Sequence, residues 1–299
     1  MIIGRFAPSP TGILHLGNLR TALASWLSAR SKGGRWIIRM EDVDGPRCRR
    51  EFGEQQLKDL AAMGMESDSP VIWQSDRGDA YREAIHTLHG LNRLYPCHCT
   101  RKDLQKLSSA PHEEDGLRPY PNLCRHRPWE GLEAALRFRL TDGAMDWADL
   151  ALGPQYDDPS TLTGDPLLFR RDGMFAYHLA VVVDDGFQGV TEIVRGMDLR
   201  GVTATQIQLQ EALSVPRPAY AHLGLVTAPD GCRLGKRAGA LGLEALRQRG
   251  IGTDEIIGWL GRSLGCIDHI EPCTINELTQ HFQWSKVPIG KVALPESWS

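Results

Sequence analysis

Apolar positions occur along this chain in two kinds of block, which alternate and predict strands and helices in turn. Short apolar runs at residues 2–6 and 35–40 are typical of buried strands. Between them, apolar residues recur at intervals of three and four, the period of a helix with one buried face. These residues are Leu16, Leu19, Leu23, Trp26 and Leu27. The same period predicts helices at residues 46–64 and 77–93. This alternation favours an α/β fold with a doubly wound parallel sheet.

The pattern changes in the middle of the chain. Short alternating runs at residues 136–140 and 165–170, broken by Gly and Pro, predict a small, partly antiparallel insertion between two halves of the sheet. The apolar run at residues 179–183 is expected in the core, Arg195 closes a predicted strand, and a helix is predicted at 203–213. Amphipathic helices are expected in the tail. Their ranges are 241–249, 253–264 and, for a shorter one, 274–283. The predicted divisions are 1–94 and 171–240 for the two halves of the sheet-containing domain, 95–170 for the insertion, and 241–299 for a helical subdomain.

A loop dense in Pro, Gly, Ser and Thr separates the first strand from the first helix, at residues 7–12. Such a loop continues neither element. A strand, a Gly-bearing turn and a helix N-terminus together favour a phosphate, because free backbone N–H groups and the helix dipole point at it. His15 and Gly17, at their fixed distance from this loop, favour a nucleotide site over a plain connection.

Acidic residues follow the second predicted strand, at Glu41, Asp42 and Asp44. The carboxyl ends of parallel strands are where open α/β sheets bind ligands. The alternative is a solvated acidic turn. Because Glu41 follows a strand of a nucleotide-binding half, we expect it to contact a ligand.

Three cysteines lie near a polar stretch that has too little apolar content to fold by its own packing. They are Cys97, Cys99 and Cys124, and three thiolates suit tetrahedral zinc with one further ligand. A metal cross-link would hold this stretch in place. Spacing alone leaves four candidates for the fourth ligand, namely His98, His126, His112 and Tyr120. The alternative is three buried thiols.

Bulk properties narrow the class of protein. The 299 residues are 41% hydrophobic and 24% charged, which is ordinary for a globular protein. Apolar runs are too short for a membrane span and no signal-peptide pattern is present, so a cytoplasmic protein without a membrane partner is expected. Seven cysteines in such a chain favour thiols or metal over disulfides. The net charge of −3 leaves RNA contacts to local basic clusters. These are Arg47, Arg49 and Arg50, and Arg233, Lys236 and Arg237.

Two motifs resemble a known family. The stretch Arg5-Phe-Ala-Pro-Ser-Pro-Thr-Gly12, followed by His15 and Gly17, resembles the HIGH-type signature of class I aminoacyl-tRNA synthetases in its glutamyl/glutaminyl form. The Cys-x-Cys pair followed by Tyr-x-x-x-Cys resembles the zinc site of the glutamyl-Q tRNA(Asp) synthetases, short paralogues of glutamyl-tRNA synthetase. The resemblance covers essentially the whole chain. It implies a Rossmann-like class I catalytic domain with a zinc-bearing insertion and a C-terminal helical subdomain.

The resemblance also implies site residues. For glutamate they are Arg5, Phe6, Ala7, Pro8, Ser9, Glu41, Tyr177 and Arg195. For ATP they are Ser9, Thr11, Gly12, His15, Gly17, Asn18 and Lys236, and of these His15 and Lys236 would stabilise charge during catalysis. For one structural zinc ion they are Cys97, Cys99, Tyr120 and Cys124. With four protein ligands this ion has no open position for chemistry.

The basic loop at residues 231–237 matches the position of the family's KMSKS-type loop, whose lysine stabilises the ATP phosphates. Lys236 matches that lysine. Arg233 replaces the first lysine of the pattern and Gly235 replaces its serine. The positive charge is therefore kept and a hydroxyl is lost. We expect a low rate or a weak affinity for ATP as a result.

The implied activity is tRNA-independent activation of L-glutamate with Mg²⁺-bound ATP, followed by transfer of glutamate to queuosine in the anticodon stem-loop of tRNA(Asp). We expect a monomer. No stretch of this sequence is left to form an anticodon-binding domain. We therefore expect the anticodon loop itself to enter the active-site cleft. Two alternatives stay open at this point. One is a glutamyl-tRNA synthetase catalytic fragment that charges a tRNA 3′ end, and the other is a degenerate RNA-binding module.

Overall fold

The computed structural model describes residues 1–106, 119–231 and 241–298. Its strands are β1 (Ile3–Phe6), β2 (Arg35–Met40), β3 (Ile72–Trp73), β4 (Leu94–Cys97), β5 (Ala135–Phe138), β6 (Met145–Asp149), β7 (Gly153–Asp157), β8 (Leu167–Phe169), β9 (Glu192–Gly196), β10 (Ala219–Leu223), β11 (Val226–Thr227) and β12 (Val292–Ala293). Its helices are α1 (Leu16–Arg30), α2 (Arg50–Ala62), α3 (Gly78–Gly90), α4 (Arg101–Lys106), α5 (Pro159–Leu162), α6 (Tyr177–Phe187), α7 (Thr203–Ala212), α8 (Leu243–Gln248), α9 (Thr253–Ser263) and α10 (Ile275–Thr279). None of these helices is long and apolar enough to cross a membrane.

The central sheet has seven strands in the order β3-β2-β1-β9-β10-β6-β7. All neighbouring pairs are parallel except β6 with β7. The middle strand β9 and its neighbour β1 come from opposite halves of the chain, as the predicted doubly wound fold requires. The prediction of a mostly parallel sheet is confirmed.

Helix α1 packs on one face of this sheet, against β1, β2 and β9. Its five periodic apolar residues are all at most 5% exposed, so the predicted stripe is the buried one. Gly4 in β1 permits this close packing, because a Cβ atom there would lie 3.2 Å from the Cβ of Ala29. On the other face, α7 packs against β2, β6, β9 and β10, and α6 contacts the sheet through Asp185, which pairs with Arg5 and Arg39. Helix α3 packs with α6 against the smaller sheet β4-β5-β8.

The insertion contains a separate antiparallel sheet in the order β4-β5-β8, which confirms the predicted partly antiparallel unit. The hairpin β6–β7 is an addition that sequence patterning missed. It joins the central sheet, since β6 pairs with β10. Its exposed positions include Asp146 and Pro154, and such residues weaken the signal of a strand.

Two predicted boundaries differ from the structure. The helix expected from residue 46 begins at Arg50, because Gly45–Arg47 form a short 3₁₀ turn around Pro46. The apolar stretch at residues 220–227, which its pattern predicts as one strand, is divided into β10 and β11 at Gly224. A Cβ at Gly224 would lie 1.9 Å from the carbonyl oxygen of Gly290, where the C-terminal segment crosses to pair β12 with β11. The three tail helices are present as predicted, at α8, α9 and α10.

Candidate active site

A cavity of about 820 Å³ lies where β1, β9 and β10 end and α1 begins. Its walls include every residue predicted to bind glutamate or ATP apart from Lys236. These are Arg5, Phe6, Ala7, Pro8, Ser9, Thr11, Gly12, His15, Gly17, Asn18, Glu41, Tyr177 and Arg195. Lys236 and the neighbouring Arg233 and Gly235 lie outside the described residues. The fold thus brings residues from positions 5 to 195 of the sequence together around one cavity.

His15 is the N-cap of α1 and its protonation state follows from its contacts. Its ring Nδ1 accepts a hydrogen bond from the backbone N–H of Asn18 at 3.3 Å, and Asn18 Oδ1 accepts from the backbone N–H of His15 at 3.1 Å. A ring that accepts at Nδ1 carries its proton at Nε2 when neutral. Burial lowers the pKa of His15, against the opposing charge of Asp198, so the ring is neutral at pH 7. The Nε2–H group therefore remains as a donor for a ligand in the cavity.

Gly17 leaves room for this ring. A Cβ atom at position 17 would lie 3.0 Å from Cε1 and 3.1 Å from Nδ1 of His15, which is closer than ordinary van der Waals contact. The spacing of His15 and Gly17 in the sequence is therefore a steric requirement of the capping arrangement.

The loop before α1 is held from outside by Gln56 on α2, a residue that the sequence analysis missed. Its Nε2 donates to the carbonyl oxygens of Ser9 at 3.2 Å and Gly12 at 2.7 Å. The backbone N–H of Glu41 donates to the carbonyl oxygen of Pro8 at 2.9 Å. The loop is fixed at both ends, and the backbone N–H groups of α1 stay directed at the cavity.

A buried ionic cluster fixes Arg5 and Glu41 at the cavity floor. Arg39 lies beneath them with no exposed surface, and its Nη2 contacts Asp185 Oδ1 at 2.8 Å and Glu41 Oε1 at 3.3 Å. Arg5 Nε contacts the same Asp185 oxygen at 3.4 Å. Burial raises the pKa of Glu41, while the charges of Arg39 and Arg5 act in the opposite direction. Arg39 on β2 and Asp185 on α6 were also missed, because a charged residue within a strand or helix gives no sign of its partner.

Arg195 is held at three of its nitrogens by side chains of the second half. Nε donates to His222 Nε2 at 3.0 Å, Nη1 to Gln206 Oε1 at 2.6 Å, and Nη2 to Thr203 Oγ1 at 2.8 Å. A guanidinium has five N–H groups, so each Nη keeps one donor for a ligand. No carboxylate of the described residues forms an ion pair with Arg195. Arg195 therefore lines the cavity with a charge that no described carboxylate neutralises and with two N–H donors left for a ligand.

Tyr177, the first residue of α6, lines the cavity together with Arg195. Burial raises the pKa of Tyr177. The phenol is consequently neutral and is placed beside the Arg195 guanidinium on the cavity wall.

The insertion brings the three predicted cysteines together. The Sγ atoms of Cys97, Cys99 and Cys124 all lie within 4.8 Å of one another, with Cys99 and Cys124 3.7 Å apart. In tetrahedral zinc coordination the sulfurs are separated by about 3.8 Å, and a phenolate oxygen lies about 3.5 Å from each of them. The hydroxyl of Tyr120 lies 3.4 Å from Cys97 Sγ and 3.5 Å from Cys99 Sγ. These four residues therefore fit one zinc ion.

The other candidates for the fourth ligand are placed differently. His98 Nε2 pairs with Glu130 at 2.7 Å, His126 is exposed, and His112 lies outside the described residues.

The ionisation of Cys124 also bears on metal binding. Burial raises the pKa of the Cys124 thiol, but hydrogen bonds from the His98 backbone and the Tyr120 hydroxyl bring it down to about 7. A thiol that ionises this readily suits metal binding.

Arg137 completes the surroundings of the cysteines and was not predicted. Its Nε donates to Cys97 Sγ at 3.3 Å, and its guanidinium lies 3.5 Å above the Tyr120 ring. A cation at this position partly balances the negative charge of clustered thiolates.

Comparison with known proteins agrees with this arrangement. The family described as tRNA synthetases class I (E and Q), catalytic domain, matches residues 1–291. The glutamyl-Q tRNA(Asp) synthetase of Symbiobacterium thermophilum is 42% identical over 312 residues, which cover 99% of this chain and 96% of that protein. The chain belongs to the glutamyl-Q tRNA(Asp) synthetase family.

Other members of the glutamyl-Q tRNA(Asp) synthetase family are equally similar. Those of Geobacter sulfurreducens and Leptothrix cholodnii are each 47% identical, over 82% and 81% of this chain and 79% and 84% of their own lengths. The crystal structure of glutamate-tRNA synthetase from Elizabethkingia anophelis superposes with a TM-score of 0.84 at 25% identity. That match covers 99% of this chain and 68% of the other. The predicted class I synthetase fold is confirmed.

Proposed function

We propose that this protein activates L-glutamate with ATP in the absence of tRNA and then transfers the glutamate to the queuosine base in the anticodon loop of tRNA(Asp). The observation that carries the proposal is a single cavity in which the N-terminus of α1 faces Arg5, Glu41 and Arg195. Relatives that carry the name glutamyl-Q tRNA(Asp) synthetase, at 41–47% identity, support the choice of substrates.

The charges of the cavity complement those of glutamate. The substrate has two carboxylates and one ammonium group. Arg195 offers two N–H donors to one carboxylate, in the bidentate geometry that guanidinium groups favour. Arg5 serves the other carboxylate, and Glu41 accepts from the ammonium group. Tyr177 and the wall formed by Phe6, Ala7, Pro8 and Ser9 enclose the rest of the molecule.

ATP lies against the N-terminus of α1, where Ser9, Thr11, Gly12, Gly17 and Asn18 surround the phosphates. The α-carboxylate of glutamate attacks the α-phosphorus of ATP, an O–P bond forms, and the bond to the β-phosphate breaks to release pyrophosphate. No general base is required, because the nucleophile is already ionised at pH 7.

Rate then comes from positioning and from stabilisation of charge on the phosphates. His15 donates its Nε2–H to them, and Lys236 neutralises the leaving pyrophosphate. ATP enters as its Mg²⁺ complex, as phosphate substrates generally do.

One zinc ion held by Cys97, Cys99, Tyr120 and Cys124 would supply a structural cross-link to the insertion. Four protein ligands leave it no open position, so the chemistry of the cavity does not involve it. We also propose that the protein is a monomer and acts in the cytoplasm, where ATP and tRNA are found. Measurement of its mass in solution tests whether it is a monomer.

ATP–pyrophosphate exchange with a panel of amino acids and no tRNA tests the first step. Exchange that depends on glutamate is expected, and silence with every amino acid would contradict tRNA-independent activation. Radiolabelled glutamate and tRNA(Asp) with or without queuosine then test the acceptor. Labelling of the queuosine-containing tRNA alone is expected, while equal labelling of both would indicate charging of the 3′ end.

A further inference from the structure

We infer that His222 and Asp149 orient Arg195 and fix its hydrogen bonding, and that they act as positioning residues for the recognition of a glutamate carboxylate. This inference rests on the proposed function, because it takes Arg195 as a contact to the substrate. The three residues form a continuous row in which Arg195 contacts His222 and His222 contacts Asp149.

The row runs across three neighbouring strands of the central sheet. Arg195 on β9 and His222 on β10 are direct partners in the strand register, and Asp149 is the last residue of β6, which pairs with β10. The side chains meet at 3.0 Å and 2.6 Å, and all three residues are at most 4% exposed. The row thus connects the hairpin β6–β7 to the cavity wall.

The hydrogen bonds determine the tautomer of His222. A guanidinium N–H can only donate, so Nε2 of His222 must accept from Arg195 and its proton must be on Nδ1. That proton is donated to Asp149 Oδ2 at 2.6 Å. The other oxygen of Asp149 accepts from the backbone N–H groups of Ala151 and Leu152 at 2.9 Å each. Asp149 is therefore itself immobilised and cannot follow a displaced ring.

This arrangement has two effects on a carboxylate ligand. The guanidinium is held at Nε, Nη1 and Nη2, so the two remaining N–H donors are oriented before the ligand arrives, which reduces the entropy lost on binding. The neutral ring of His222 also keeps Asp149 from direct contact with Arg195. The full positive charge of Arg195 stays available to distinguish a carboxylate from the neutral amide of glutamine.

Protonation of His222 would disrupt the row, since an N–H group at Nε2 would face the N–H group of Arg195. Burial lowers the pKa of His222, and the bond to Asp149 opposes this. The charged groups around the ring are Arg195 from β9, Asp149 from β6 and Arg200 from the turn after β9, and Tyr220 of β10 stacks on it. The ring is neutral at pH 7, and glutamate recognition is expected to decline as the pH falls through the lowered value.

Asp149→Asn and His222→Gln test the row, with Asp165→Asn as the matched control. Asp165 is equally buried and accepts hydrogen bonds from Tyr95 and from a backbone N–H, yet it lies outside the row. In Asp149→Asn the amide favours the tautomer with its proton on Nε2. The KM for glutamate is expected to rise roughly ten- to a hundredfold, the range for loss of a hydrogen bond to a charged group. The kcat and the KM for ATP should change by less than about threefold, because binding alone is affected.

Two outcomes would overturn the inference. One is a KM for glutamate in Asp149→Asn that matches the Asp165→Asn control. The other is a pH profile of kcat/KM for glutamate whose acid limb is the same in His222→Gln as in the native protein. Glu41 contributes to the acid limb of both proteins, so only the contribution of His222 can differ between them. Loss of one component of the acid limb in the variant supports the row.

The ¹⁵N chemical shifts of His222 in the native protein give a test that needs no substrate. A proton on Nδ1 alone supports the row and a proton on Nε2 refutes it. If the native protein shows no exchange with glutamate, the proposed function fails, and this measurement still decides whether His222 holds Arg195 as described.

Discussion

Substitution of Gly17 by alanine is expected to reduce glutamate activation without reducing stability. The new Cβ would approach the His15 ring to 3.0 Å, about 0.4 Å closer than ordinary contact allows. The ring must therefore move or rotate. Its bond from the Asn18 backbone is already 3.3 Å long, so a small movement away from the first turn breaks the cap and turns Nε2–H from its position in the cavity.

The expected magnitudes follow from these contacts. Loss of a helix N-cap costs about 1 kcal/mol of stability, while alanine in place of glycine in a helix contributes up to about 1 kcal/mol. The free energy of unfolding should consequently change by less than about 1 kcal/mol. A misplaced donor to the transferring phosphate reduces the rate far more, and we expect roughly a ten- to hundredfold loss in exchange.

Glutamate-dependent ATP–pyrophosphate exchange and thermal unfolding measure the two quantities separately. Gly90→Ala is the matched control, because it places the same methyl group at the end of helix α3 in open space. That variant should keep native exchange and be equally or slightly more stable. Native exchange in Gly17→Ala, within about twofold, would refute the argument that the capping geometry of His15 determines its catalytic position.

Three further changes test other parts of the site. Cys124→Ser should lower the metal content from about one zinc ion per chain and lower the melting temperature; native protein isolated without zinc would contradict the assignment. Glu41→Gln should raise the KM for glutamate roughly ten- to a hundredfold. Because burial raises the pKa of Glu41 above its ordinary 4.5, glutamate binding should persist above that raised value and weaken as the pH falls through it, and this limb should be absent from Glu41→Gln. Lys236→Ala should slow exchange by roughly ten- to a thousandfold, and a change below about twofold would remove its role at the pyrophosphate.

Local chemistry in the sequence predicted the parts of the site that depend on near neighbours. His15 and Asn18 cap the helix across three residues, and Gly17 is required by the ring beside it. Helices α8, α9 and α10 also followed from their periodicity alone. Cys97 and Cys99 are separated by one residue in the sequence, and spacing was enough to propose a metal site. Spacing could not choose the fourth ligand, because that depends on which side chain the folded insertion turns toward the thiols.

The sequence by itself indicated most of the strands and helices and the Gly- and Pro-rich loop before α1, since each of these is encoded within a few neighbouring positions. The resemblance to a family supplied most of the residues proposed for the cavity. Only the tertiary structure decided which polar side chains support them. Arg39 and Asp185 are separated by 146 residues, and His222 and Asp149 by 73, yet each pair lies in hydrogen-bond contact. Asp185 lies on helix α6, and the periodicity of a helix does not reveal which strand it packs on, whereas His222 and Asp149 lie on neighbouring parallel strands. In a parallel sheet, neighbouring strands come from distant parts of the chain, and periodicity reveals that a strand exists without revealing its neighbour or its register.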